Sequence, residues 1–142
     1  MRRLLPCALL ALTLIACGGP APTTTPQFAR FTAASVLQSL GAAGIAVADA
    51  QPGQRASNEP WPNTQRDWQL FSFAGVPAER RGGQVLTYAA PADLAAMTAY
   101  LDQLPANLRP YSYVNGNALV FLSAQVPGPE AAKLRDAFMA LK

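Results

Sequence analysis

Residues 110–123 read PYSYVNGNALVFLS, in which two strand-like runs flank the pair Asn115-Gly116. An Asn-Gly pair is a strong signal for a hairpin, because a type I′ turn needs a positive φ at both of its central residues. The runs 110–114 and 118–123 are therefore predicted to pair as antiparallel strands. This hairpin sets the expectation of an antiparallel sheet for the rest of the chain.

Three further strands are predicted upstream, at 45–48, 68–73 and 84–89. Residues 68–73 carry apolar side chains on both faces, which is typical of a central strand that is covered on both sides. Between the first two strands, residues 49–66 contain three prolines and a glycine. That composition predicts a long irregular loop.

Three helices complete the pattern. Thr32 is predicted to cap a helix over 33–43, and Gly44 follows as its stop. Pro91 is placed at the first turn of a second helix that ends before Pro105. A third helix is predicted from about residue 129 to 141, with buried positions at helical spacing.

The element order is helix, strand, strand, strand, helix, strand, strand, helix. Hairpin connections dominate this order, so the predicted fold is α+β: a mainly antiparallel sheet of about five strands packed by three helices in two layers. Residues 28–142 are expected to form a single domain.

The amino terminus reads MRRLLPCALLALTLIAC over residues 1–17. Two arginines precede an apolar run of about 13 residues, which is too short for a membrane-spanning helix but typical of a secretory signal. The run ends in Leu14-Ile15-Ala16-Cys17. This tetrapeptide resembles the lipobox of bacterial membrane lipoproteins at all four positions.

The resemblance implies that residues 1–16 are a signal peptide, removed by signal peptidase II, and that Cys17 carries acyl chains. A double acyl anchor holds a protein durably on a membrane. Residue 18 is Gly rather than Asp, which in the sorting rule of diderm lipoproteins implies the outer membrane. In another type of envelope, the expected location is the outer face of the cytoplasmic membrane. Residues 17–27 form the lipidated cysteine and a Pro/Thr-rich tether that reaches about 30 Å.

Composition excludes several kinds of chemistry. The sequence has no histidine, and both cysteines, Cys7 and Cys17, lie within its first 17 residues. Ser–His and Cys–His nucleophile pairs are thereby excluded, as are metal sites built on histidine or thiolate ligands. Removal of Arg2 and Arg3 leaves a nearly neutral chain, which does not favour nucleic-acid binding. We therefore expect no enzyme activity, no cofactor, no metal and no nucleic-acid partner.

Four aromatic residues are the predicted contacts for a ligand or partner: Trp61, Trp68, Tyr111 and Tyr113. Trp61 stands between two prolines, so it forms either a rigid exposed platform or a cap on the core, and the cap is favoured. Tyr111 and Tyr113 share one side of a strand, where packing is favoured over an exposed patch. For Arg80 and Arg81, a solvated turn is favoured over an anion site because Glu79 adjoins them.

These observations favour a lipid-anchored structural or interaction module of the cell envelope, with an envelope protein as its partner. The alternative is a lipoprotein that binds a sugar, lipid or peptide in a groove between sheet and helix. A large apolar pocket near Trp61, Trp68 and Tyr113 would favour this alternative, and a filled core with no pocket would favour the module.

Overall fold

The structure is a computed structural model that describes residues 27–105 and 111–142. The predicted signal peptide, Cys17 and nearly all of the tether lie outside the described residues, as does Pro110 at the start of a predicted strand. The three helices are α1 (Ala33–Ala42), α2 (Pro91–Asp102) and α3 (Gly128–Met139). The five strands are β1 (Val47–Pro52), β2 (Asp67–Phe73), β3 (Gly83–Thr87), β4 (Tyr111–Asn115) and β5 (Ala118–Leu122).

The five strands form one sheet in the order β1-β2-β3-β5-β4, and every neighbouring pair is antiparallel. This sheet and the three helices confirm the predicted α+β fold. Strand β3 is central, and all five of its residues are buried. Strands β1 and β4 are the edges.

Each face of the sheet has its own apolar core. One face, with Phe71 and Val85, packs against α1 and α3. The other face, with Trp68 and Leu86, packs against Leu94, Met97 and Leu101 of α2. The sheet and the α1/α3 layer form the two predicted layers, and α2 packs on the opposite face of the sheet.

The start of α1 is fixed by polar groups near and far in sequence. Thr32 and Ser35 form a reciprocal capping box, as the N-cap prediction requires. The backbone N–H of Ala33 donates to Oδ2 of Asp67 in β2 at 2.7 Å. A carboxylate at this end also interacts favourably with the helix dipole. The capping therefore joins α1 to the sheet.

The prediction that residues 49–66 are irregular throughout is wrong at its start, because β1 continues to Pro52. Its register with β2 shifts between Ala48 and Gln51, and Asp49 has a φ of 52°. A bulge of this kind lets an edge strand continue, and a proline costs no ladder hydrogen bond on an unpaired edge.

The β4–β5 hairpin is present, but its turn differs from the prediction. Asn115 pairs with Ala118, so the central residues are Gly116 and Asn117. Of these two, Gly116 alone has a positive φ, of 59°. A positive φ at the first central residue alone fits a type II′ turn, so the predicted type I′ turn at Asn115-Gly116 is wrong.

Candidate functional site

The irregular segment 53–66, here called the Trp61 loop, folds back onto the α2 face of the sheet. Trp61 is only 5% exposed, and its ring meets that of Trp68 edge-on at 5.0 Å between centroids. Gly53 crosses directly over Trp68, where a Cβ would come within 2.0 Å of the indole. Trp61 is therefore buried against the core and does not form an exposed platform.

Polar contacts hold this loop in place. Nε1 of Trp61 donates to Oε2 of Glu59 at 2.6 Å, and Oε1 of Glu59 accepts a hydrogen bond from the guanidinium of Arg81. Arg55 donates to the backbone oxygens of Glu59 and Trp61, both at 2.8 Å. Its guanidinium also lies 5.9 Å from the centre of the Trp61 ring, within cation–π range. Both carboxylate oxygens of Glu59 are thus engaged.

The turn that presents the arginines is strained. A short 3-10 helix, Ala78–Arg80, ends at Arg81, whose backbone is left-handed with φ 53° and ψ 50°. For a residue other than glycine, this conformation costs about 1–2 kcal/mol. Such strain persists where the surroundings enforce it, and it often occurs at functional sites. Here it accompanies the ion pair with Glu59.

A cavity of about 490 Å³ lies between the Trp61 loop, the C-terminal half of α2 and the adjacent ends of β3 and β5. We call it the Trp61 groove. Its volume is in the usual range for small-ligand sites, about 300–1,000 Å³. Its larger apolar and aromatic lining residues are Trp61, Met97, Tyr100, Leu101, Leu104 and Phe121. Its polar lining residues are Glu59, Arg80, Arg81, Gln84, Ser123 and Gln125.

The charges in the groove do not cancel. Glu59 is paired with Arg81, and Gln84 is engaged through its Oε1, which accepts from Nε1 of Trp68 at 3.0 Å. The side chain of Arg80 is exposed and has no hydrogen bond or salt bridge to any residue within 27–105 or 111–142. The part of the groove that the structure describes therefore carries one uncompensated positive charge.

The predicted contact residues do not form one cluster. Trp61 and Trp68 lie on the α2 face, whereas Tyr113 packs against the core on the α1/α3 face. Tyr111 is on the same strand and is 36% exposed. Burial raises the pKa of Tyr113, Arg135 lowers it, and Tyr111 and Asp136 raise it further. The structure thus brings together the two tryptophans, and it places the two tyrosines elsewhere.

Most of the groove was not singled out from the sequence. Met97, Leu101 and Leu104 follow the helical spacing of the sequence, which predicts burial but does not reveal space beside the helix. Arg80 was assigned to a solvated turn. The only sequence signal for a site at Arg80 was the arginine pair before Gly82-Gly83. This signal did not indicate that the Trp61 loop lies beside it.

Tyr88 also lies in the core on the α2 face of the sheet, but it does not line the groove. Its side chain is fully buried, and its hydroxyl has no hydrogen-bond partner in the described part of the chain. Burial raises the pKa of Tyr88 well above its usual range, and the nearby Asp93 adds to the increase.

Within the described ranges, no three His, Cys, Asp or Glu residues group as metal ligands, and no helix is long and apolar enough to cross a bilayer. No protein-family model matches the chain, and neither a curated protein nor a solved structure matches it.

Proposed function

We propose that this protein is a lipid-anchored, non-catalytic binding protein of the bacterial cell envelope that holds a small ligand in the Trp61 groove. The observation that carries the proposal is the groove, a cavity of about 490 Å³ that combines an apolar wall with polar and charged side chains. Sites for small molecules commonly have this composition. A groove between sheet and helix is the feature that distinguishes ligand binding from a purely structural module.

The chemistry of the groove supports binding without catalysis. Glu59 is the only carboxylate among the described residues that line it, and both oxygens of Glu59 already accept hydrogen bonds. A general acid or base must reach the proton that it transfers, and Glu59 is committed to Trp61 and Arg81. The groove can hold a ligand by burial and by charge.

The anchor in this proposal is a diacylglyceryl group on Cys17. Its support is the sequence Leu14-Ile15-Ala16-Cys17 behind a charged and apolar leader. The tether of residues 18–27 would then hold the domain clear of the lipid headgroups. The proposed location is the outer membrane of a diderm envelope, or the outer face of the cytoplasmic membrane otherwise.

The anchor is tested by Cys17→Ser, with Cys7→Ser as the matched control in the leader. The first change is expected to move the protein from the membrane fraction to the soluble fraction or to leave it unprocessed. The second is expected to leave both location and mass of the mature protein unchanged. Identical fractionation and mass for Cys17→Ser and wild type would refute the anchor.

Ligand binding is tested by native mass spectrometry of the protein extracted gently from its own membranes. A bound small molecule is expected as an added mass. Ala124 is exposed and lines the groove, so Ala124→Trp should fill the groove and abolish the added mass. Ala95→Trp, at an exposed position of α2 outside the groove, should retain it. The same spectrum for wild type and both variants would contradict the proposal.

An envelope protein partner is the second candidate function. Edge strand β4 exposes two large apolar residues, Tyr111 and Val114. An unpaired strand edge is a template for another chain. Replacement of Val114 by Lys would then disrupt a specific crosslink to the partner in intact cells, while Ala124→Trp would leave that crosslink unchanged.

A further inference from the structure

We propose that the ligand of the Trp61 groove is a single-chain amphiphile with an anionic head, the head at Arg80 and the chain along α2. This inference depends on the proposed ligand-binding function and adds the chemical class of the ligand. It follows from the charge balance of the groove, the arrangement of its apolar wall, and the prior engagement of Glu59, Arg81 and Gln84.

The charge balance selects an anion. Among residues 27–105 and 111–142, the charged residues that line the groove are Glu59, Arg80 and Arg81, and Glu59 forms an ion pair with Arg81. Arg80 is left with a free guanidinium, which offers several N–H donors in a planar fork that suits a carboxylate or phosphate. Glu79 is adjacent in the chain but does not line the groove. A cationic ligand would meet net repulsion here.

The apolar wall of the groove favours an alkyl chain as the second part of the ligand. Met97 and Leu101 of α2 line the groove at helical spacing. Leu104, two residues past the end of α2, and Phe121 of β5 continue this apolar wall. Leu104 and Phe121 are only partly buried, so a ligand can still remove apolar surface from water there. Each methylene buried in this way raises affinity by about fourfold.

A sugar fits these surroundings less well. Sugars commonly stack on an exposed aromatic ring and hydrogen-bond to free carboxylates or amides. Trp61 is buried edge-on against Trp68, and Glu59 already accepts two hydrogen bonds. The groups still open to a ligand are the cation of Arg80, the apolar wall, and the side chains of Ser123 and Gln125. The combination of a cation with partly exposed apolar surface matches an amphiphile with an anionic head.

The two tryptophans of the chain, Trp61 and Trp68, pack in the core beside the groove, so their fluorescence reports on its occupant. The protein purified from cells is mixed with phosphatidylcholine vesicles and titrated with octanoate, octyl glucoside or octyltrimethylammonium. Octanoate should change the emission at the lowest concentration, at least tenfold below octyltrimethylammonium. Arg80→Gln should weaken octanoate binding about tenfold and leave octyl glucoside unchanged.

Arg135→Gln is the matched control, because it removes an exposed arginine from α3 on the other face of the sheet. It should bind octanoate as wild type does. A further arm replaces phosphatidylcholine with phosphatidylglycerol and omits octanoate. If the ligand is a free amphiphile, the tryptophan emission should not change in that arm. A change that survives Ala124→Trp would identify a bilayer surface as the ligand and overturn the inference.

Two other results separate the failure of the inference from that of the proposed function. If octyl glucoside binds as tightly as octanoate and Arg80→Gln has no effect, the groove binds ligands but the anionic class is wrong. If none of the three probes changes the emission and the native mass spectrum has no added mass, both the inference and the proposed function are wrong.

Discussion

The carboxylate of Glu59 accepts the indole N–H of Trp61 at 2.6 Å, while its other oxygen accepts from Arg81. One side chain, 10% exposed, thus joins the Trp61 loop to the strained turn before β3. The same arrangement buries Trp61, neutralises Arg81 and leaves Arg80 as the free cation of the groove.

Loss of the Glu59 carboxylate should loosen the Trp61 loop. Glu59→Ala leaves the indole N–H unpaired and removes the ion pair, and it is expected to lower the free energy of unfolding by about 1–2 kcal/mol. Glu59→Gln keeps an acceptor for the indole and should cost less than about 1 kcal/mol, because Arg81 is nearly half exposed. Urea unfolding followed by tryptophan emission gives these values. Glu79→Ala is the control, and an equal loss from it would refute the assignment.

Asn117 should be the most sensitive polar residue in the core. Its amide accepts from N–H of Phe31 and donates to the carbonyl oxygen of Phe31, both at 2.9 Å, and it is fully buried. Asn117→Ala leaves both backbone groups without a partner, at a cost of about 3 kcal/mol. Thermal unfolding measures this loss. Asn63→Ala, in the exposed loop, should change stability by less than about 0.5 kcal/mol, and similar losses for both variants would contradict this role.

The same substitution should act in opposite directions at two glycines. Gly116→Ala places a side chain at a φ of 59° and within 3.0 Å of Nε of Arg30, so it should destabilise the fold by about 1–2 kcal/mol. Gly41→Ala meets open space in α1 and should stabilise the fold by about 0.5–1 kcal/mol. Calorimetric melting temperatures of the two variants compare the effects directly. A stabilising Gly116→Ala would refute the turn.

Removal of the Tyr88 hydroxyl should be neutral or stabilising, because that buried group has no partner. Its raised pKa also has a consequence for alkaline stability. The unfolded chain loses the tyrosine proton near pH 10, whereas the folded chain retains it, so unfolding is increasingly favoured as pH rises above 10. Tyr88→Phe should therefore reduce the loss of stability between pH 10 and 11. An unchanged slope in unfolding experiments across that range would contradict the assignment.

Local signals in the sequence predicted the elements well because each signal acts within a few residues. The N-cap at Thr32, the glycine stop at Gly44 and the proline at the start of α2 occur where they were expected. The turn of the β4–β5 hairpin was misplaced by one residue. Asn117 occupies the turn while its amide binds Phe31, which is 86 positions away in sequence. No local pattern encodes such a contact.

The candidate site was less predictable because it depends on the space between elements. Apolar spacing predicts that α2 packs on the sheet, but the face that it covers follows from the whole topology. The Trp61 groove also requires the Trp61 loop to fold over Trp68 and the Glu59 carboxylate to meet Arg81. These contacts join residues 7 and 22 positions apart, across segments without regular periodicity.

The most direct measurement is a crystal structure of the protein with octanoate. We expect the carboxylate within hydrogen-bond distance of the Arg80 guanidinium and the alkyl chain between α2 and Phe121. A structure in which the groove is closed by its own side chains, with octanoate bound elsewhere or absent, would contradict the account.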